Sequence, residues 1–267
     1  MNANTQPAAT QPLLLRQDEG GVVTLTLNRP AQFNSLSRAL MSELQAELER
    51  IAADARARVV VLAGAGKAFC AGHDLKEMRS DPAKEFQRVL FRQCSKLMLT
   101  LVGMPQPVIA RVHGIATAAG CQLVSMCDLA VASDNARFAV SGVNLGLFCS
   151  TPSVGLARNL GRKQAMEMLL TGDFIDAQTA LARGLVNRVA APGQLDAEIK
   201  KLTDSILAKT PVAIKAGKQM FYRQLEMGLD GAYELASEVM ACNMMAEDAQ
   251  EGIDAFVAKR KPQWKGR

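Results

Sequence analysis

Three short runs constrain this chain more than anything else in it: Val59 to Ala63, Val108 to Val112 and Leu129 to Ala132. A strand that is apolar at nearly every position has no face to give to water. Both of its faces are covered, as in a parallel sheet packed between layers. Upstream, Val22 to Leu27 reads VVTLTL and alternates instead, which puts Val23, Leu25 and Leu27 on one side. Asn28-Arg-Pro30 breaks that strand. Ser37 then stands where a helix cap is needed, ahead of a stripe of Leu40, Leu44, Leu48 and Ile51. A further helix is expected from about Ala119, between the second and third apolar runs. Strand, turn, helix and strand recur with short connections, which predicts an α/β fold with right-handed crossovers.

From Ser153 onward the pattern changes. Apart from an apolar piece at Leu185 to Val189, the spacing predicts helices around Lys163–Leu170, Ala177–Arg183, Leu195–Ala208, Pro211–Leu225, Tyr233–Met244 and Asp248–Lys259. Residues Met1 to Gln11 are rich in Ala, Thr, Gln and Pro. The expected organisation is therefore a flexible tail over 1–12, an α/β core over 13–195 and a helical region over 196–267. No internal repeat or low-complexity linker is visible.

Composition removes several function classes. Apolar residues make up 49% of the 267 and charged residues 21%, which is a globular balance with no signature of disorder. No stretch reaches the ~18 unbroken apolar residues of a membrane helix. The net charge of +5 suits a small anionic ligand, but the cations are scattered and there are only nine Phe, two Tyr and one Trp. Nucleic acid is therefore not an expected partner. Six widely spaced cysteines, Cys70, Cys94, Cys121, Cys127, Cys149 and Cys242, fit reduced thiols in a cytosol-like compartment. No charged segment precedes an apolar run at the start, so a secretory signal is not expected.

Two glycine-bearing turns are the candidate site. One is Gly64 to Met78, directly after the apolar run Val59–Ala63. The other is Gly114 to Gln122, which joins Val108–Val112 to the expected helix. The carboxyl ends of parallel strands are where ligands bind in α/β sheets, and a helix start favours developing negative charge. Small residues in such turns also serve packing alone, and spacing by itself does not separate the two readings.

The residues in these turns resemble a known family. Asn28-Arg-Pro30 followed by Asn34-Ser-Leu36 is similar to its NRP…NAL segment, and Ala68-Phe-Cys-Ala-Gly-His-Asp-Leu75 to its AFxAGxDL turn. Pro107 to Gly114 is similar to KPVIAAVNG, and Gly120 to Asp128 to GGCELAMMCD. Leu169 to Asp173 with Ala177 and Gly184 to Val186, then Glu251 to Phe256 with Lys261 to Trp264, continue the match in order. The chain is identified on these grounds as resembling the crotonase (enoyl-CoA hydratase/isomerase) superfamily. That resemblance implies a spiral of ββα units with a C-terminal helical trimerisation region, assembled as a homotrimer or hexamer. It implies an acyl-CoA substrate, with coenzyme A as part of the substrate, no covalently bound cofactor and no metal.

The resemblance also assigns roles. The thioester carbonyl would be held by the backbone N–H groups of His73 and Ala119, and preorganised donors of this kind are worth ~100–1000-fold each. Ala119 stands where the family has glycine, so its methyl is expected to take a little room from the pocket. Acyl-CoA contacts are implied at Ala31, Gln32 and Phe33, and at Ala71, His73, Asp74, Leu75 and Lys76. Lys76 would meet a CoA phosphate; its plain alternative is a solvated surface lysine.

Ordinary hydratases place two glutamates across the bound double bond. Gln122 and Gly142 stand at the matching positions, and neither can move a proton. A positioned acid or base is worth roughly 100–10,000-fold, so weak or absent hydration is expected. Gly142 to Pro152 resembles a branch of enoyl-CoA hydratase domain-containing proteins, which includes mitochondrial homologues and shares this loss. A cytoplasmic location follows, or the mitochondrial matrix in a eukaryote. The Ala71-Gly-His-Asp74 turn and Val143 to Gly146 are also similar to methylmalonyl-CoA decarboxylase-like members, whose following tyrosine is matched here by Cys149. A non-catalytic acyl-CoA-binding protein is the rival from another class, and RNA binding ranks last. Cys149 and Ser150 could face the acyl group at a helix start, where a thiol ionises more easily, but a buried neutral cysteine is the favoured reading. Cys70 and His73 lack a second ligand pair for zinc. Asp128 is expected to pin a turn, and His113 to serve structure.

Overall fold

The computed structural model describes residues 11–267, so nearly all of the expected tail lies outside the described residues. Two sheets organise the chain. The larger has the order β1 (Leu14–Glu19), β2 (Val22–Leu27), β3 (Val59–Gly64), β5 (Val108–Val112), β7 (Leu129–Ser133) and β10 (Arg188–Ala190). The smaller has the order β4 (Ala68–Cys70), β6 (Ile115–Thr117), β8 (Arg137–Ala139) and β9 (Ile175–Asp176). All neighbours are parallel except β1 against β2 and β9 against β8.

Each turn of the chain lays one strand in the large sheet and the next in the small one: β3 then β4, β5 then β6, β7 then β8. Helices carry the chain back for the next pair. These are α1 (Arg38–Ala53) after β2, α2 (Leu75–Ser80) and α3 (Lys84–Gly103) after β4, α4 (Ala119–Met126) after β6, and α5 (Ser150–Asn159) with α6 (Arg162–Thr171) after β8. This is the expected spiral of ββα units. Helix α7 (Ala177–Ala182) leads to β10, and α8 (Leu195–Leu207), α9 (Pro211–Gln224), α10 (Leu229–Met244) and α11 (Glu247–Val257) follow.

The apolar runs are buried on both faces, as their composition predicts. Val60 and Leu62 of β3, Val108 and Ala110 of β5, and Ala130 and Ala132 of β7 enter the main core with α1, α3 and α4. Their alternates Val59, Val61, Ile109 and Val131 point the other way, onto Leu195 and Ile199 of α8. Ser37 caps α1, its Oγ accepting from Leu40 N at 3.2 Å, and the whole Leu40, Leu44, Leu48, Ile51 stripe is buried.

Three differences from the sequence reading have physical reasons. The small sheet runs through what reads as turns, because strands of two or three residues are too short to show a period. Helix α3 starts at an Ala83 cap with no side-chain hydrogen bond, so its stripe of Leu90, Cys94, Leu97, Met98 and Leu101 carries no start signal. The piece Leu185–Val189 divides, since Leu185 and Val186 pack into the core from a turn and only Arg188–Ala190 forms a strand.

Helix α9 is fixed to the spiral by one buried cation. Lys218 Nζ donates to Leu101 O and Gln106 O at 2.8 Å and to Asp128 Oδ2 at 2.7 Å. Asp128 Oδ2 also accepts from Val108 N at 2.7 Å, and Oδ1 from Tyr222 OH at 3.0 Å. Asp128 thus pins the start of β5 and the helix α9 together, beyond the turn it was expected to hold. Helix α10 packs along α9.

Candidate functional site

Two peptide groups carry the candidate site. The first joins Gly72 to His73, between β4 and α2. Its carbonyl accepts from Leu36 N at 2.7 Å. A trans peptide points its C=O and N–H in opposite directions, so the His73 N–H faces away from Leu36. The second joins Ala118 to Ala119 at the start of α4. Its carbonyl accepts from Gln122 N at 3.0 Å inside the helix, so the Ala119 N–H points back out of the helix start. Among the described residues neither N–H donates to a protein acceptor.

The two groups lie side by side. A Cβ built on Gly72 would stand 3.3 Å from Ala119 N and 2.9 Å from Ala118 Cβ, so glycine alone leaves the gap open. Gly120 matters for another contact: a Cβ there would fall 2.0 Å from Cys70 O, so its absence lets α4 sit against β4. The result is a pair of free amide donors in one wall, with the positive end of α4 behind one of them. An oxygen gaining negative charge would be stabilised there.

Two buried polar side chains flank this wall without protein partners. The His73 ring packs edge-on to Phe91, centroids 5.5 Å apart, and its buried ring nitrogens have no partner at full hydrogen-bonding geometry, the Leu36 backbone alone coming near. Burial pulls its pKa down to about 4, opposed only by the Leu36 backbone, so the imidazole is neutral near pH 7. Gln122, one turn into α4, is 4% exposed, and its Oε1 is buried and unpaired. The Ala119 methyl is not beside the gap as expected. It is buried in the main core, and the methyl facing Gly72 belongs to Ala118.

The sequence profile of the enoyl-CoA hydratase/isomerase family matches residues 17–267. The chain belongs to that family. It is 45% identical over 253 residues to a Xenopus laevis protein named enoyl-CoA hydratase domain-containing protein 3, mitochondrial, covering 95% of this chain and 86% of the relative. A crystal structure described as enoyl-CoA hydratase from Mycobacterium smegmatis superposes with TM-score 0.94 at 58% identity, covering 95% of this chain and 99% of that one. Human enoyl coenzyme A hydratase domain-containing protein 3 superposes with TM-score 0.92 at 42% identity, covering 95% and 100%.

In this enoyl-CoA hydratase/isomerase family member the first turn is drawn onto the amide wall. Phe33 O accepts from Ala71 N at 3.0 Å, which brings the exposed Ala31, Gln32 and Phe33 beside Ala71, His73 and Asp74. Leu75 and Lys76 are exposed on the first turn of α2. Two clamping residues were missed by the sequence reading. Buried Asn34 accepts from Arg29 N and donates to Ala65 O and Ala68 O, each within 2.9 Å. Arg29 pairs with Asp74 at 2.9 Å across 45 residues, a distance no local period reveals. Burial works to raise the Asp74 carboxyl, but Arg29 and the Glu77 and Lys76 amides together hold it below its ordinary value.

Gly142 lies in a short 3₁₀ turn, Ser141–Leu145, tied to β6 by the 2.9 Å contact of Ser141 Oγ with Thr117 Oγ1. A Cβ there would meet Leu147 O at 2.6 Å and Cys149 Sγ at 2.7 Å. The position is closed by the Leu147 carbonyl and the Cys149 sulfur together. Cys149 is buried, and burial pushes its thiol up, which favours the neutral form. His113 Nε2 bonds Gly66 O at 2.9 Å. Among the described residues no three His, Cys, Asp or Glu side chains converge as metal ligands do. Two hollows lie elsewhere, one of about 1260 Å³ between α3, α5 and α9 and one of about 830 Å³ beside Arg58 and Trp264. Free donors single out the amide wall.

Proposed function

We propose that this chain binds acyl-CoA thioesters and polarises the thioester carbonyl between the His73 and Ala119 N–H groups, with weak or absent hydration of the double bond. One observation carries the reading. Two peptide groups are each anchored by their carbonyl, so their N–H groups stand free and adjacent at a helix start. Such donors stabilise an enolate-like oxygen without needing to reorganise. Membership of the enoyl-CoA hydratase/isomerase family supports the same substrate class. Gln122 and Gly142 occupy the glutamate positions, and an amide and a bare Cα have no proton to exchange near pH 7. Ala31, Gln32, Phe33, Ala71, Asp74, Leu75 and Lys76 line the path we assign to the CoA moiety, with Lys76 reaching its phosphates.

The experiment is a paired one with crotonyl-CoA. Calorimetry is expected to give saturable binding, and the loss of absorbance on hydration to run at least about 100-fold slower than in a glutamate-bearing relative. No heat with any CoA thioester, or hydration at the relative's rate, overturns the reading. A second reading is favoured by the neutral, unpaired His73 ring beside the donors: loss of CO₂ from a malonyl-type thioester leaves an enolate and needs no base. Product masses from malonyl-type and enoyl thioesters separate that lyase from a binder with no turnover. We also propose assembly as a trimer or hexamer, on the apolar surface of α9–α11, and action in the cytoplasm or the mitochondrial matrix, on the unpaired cysteines.

A further inference from the structure

Ala118 sits at φ 50° and ψ −121°, a region that glycine enters freely and that side chains with a Cβ rarely adopt. Hydrogen bonds on both sides prevent it from relaxing. Its N–H donates to Ala139 O on β8 at 3.0 Å, and its C=O accepts from Gln122 N at 3.0 Å within α4. Backbone strain of this kind persists only where the surroundings over-determine it, and it gathers at functional sites. Directly across the gap, Gly72 has φ +93°. Each residue immediately precedes one of the two free N–H groups, and the Ala118 methyl is what a Cβ on Gly72 would strike at 2.9 Å.

We propose that Ala118 is a positioning residue. Its forced backbone turns the Ala119 N–H toward the side on which the His73 N–H lies, and its methyl, set against Gly72, fixes the spacing of the two donors. The proposal rests on the thioester reading and adds to it a residue that touches neither CoA nor the reacting carbonyl. With glycine at 118 the same backbone is unstrained and its two hydrogen bonds remain, but the methyl set against Gly72 is gone and the two donors lose the spacer between them. Stability and alignment therefore move in opposite directions. A residue that only filled space would move stability alone.

The probe is 4-(dimethylamino)cinnamoyl-CoA, whose absorption shifts to longer wavelength when its carbonyl accepts strong hydrogen bonds. Ala118→Gly is expected to raise the melting temperature by about 2–4 °C. It is also expected to shrink the red shift and weaken probe binding roughly tenfold, about the worth of one hydrogen bond. Ala118→Ser keeps the Cβ and should retain the full shift. A glycine variant with unchanged shift and affinity overturns the proposal, as does a serine variant that loses as much as glycine. If the unsubstituted protein binds the probe with no red shift, the amide-wall reading itself fails. If it does not bind the probe at all, the CoA reading fails, and this inference falls with it in either case.

Discussion

At the scale of single residues the site is governed by groups that cannot titrate where chemistry would want them to. His73 is the clearest case, because burial lowers its pKa from 6.5 to about 4. The unfolded chain binds a proton at this histidine below about pH 6.5, whereas the folded chain resists until about pH 4. Stability contributed by the neutral ring is thus complete above pH 6.5 and is lost as pH falls toward 4, by about 3 kcal/mol at most. Denaturant unfolding across this range should show the loss, and His73→Asn should flatten it. An unchanged slope in the variant would remove His73 as the cause. Gln122 and Gly142 differ in what they permit. Gln122→Glu fits the buried slot and is expected to raise crotonyl-CoA hydration. Gly142→Glu should cost about 1–3 kcal/mol by overpacking. Adding Cys149→Ala should recover only part of that, because Leu147 O remains 2.6 Å from the new Cβ. Full recovery would mean that the sulfur alone fills the position.

At the scale of elements the fold depends on contacts that join distant segments. The Arg29–Asp74 pair ties the turn after β2 to the β4–α2 turn, Asn34 ties it to the β3–β4 turn, and Lys218 ties α9 to the end of α3, the loop before β5 and Asp128. Burial lowers the Lys218 pKa against the pull of Asp128, yet three acceptors surround the ammonium and its side chain is 6% exposed. Removing one partner of a buried pair leaves the other uncompensated. Lys218→Met is therefore expected to cost about 3–5 kcal/mol in urea unfolding. Lys218→Met combined with Asp128→Asn should cost less than the sum of the two single changes. Additive costs would show that the two groups do not act as a pair.

At the scale of the whole molecule the most telling feature is what remains uncovered. Leu229, Tyr233 and Met240 of α10, Met245 just beyond it and Phe256 of α11 are each at least 68% exposed, far more apolar surface than scattered single residues explain. The proposed trimer or hexamer would cover it. Sedimentation should give a species of three or six chains, with Leu229→Glu and Tyr233→Glu together moving it toward the monomer. A monomeric unsubstituted protein at micromolar concentration would defeat the proposal.

The apolar runs by themselves pointed to strands buried on both faces, since an extended Val59–Ala63 has no side to give to water. The alternation of VVTLTL and the Ser37 cap determined the neighbouring strand and helix for equally local reasons. The motif order pointed to the family and to both candidate turns. Tertiary structure alone decided the rest. It set which methyl borders the gap, since Ala118 and Ala119 differ only in backbone angles that no alanine announces. It closed the Gly142 position with the Leu147 carbonyl and the Cys149 sulfur, and it paired Arg29 with Asp74. The physical reason is the same throughout: periodicity and capping are written within a few neighbouring residues, whereas donor alignment, strain and steric exclusion arise only when separated segments are forced into contact.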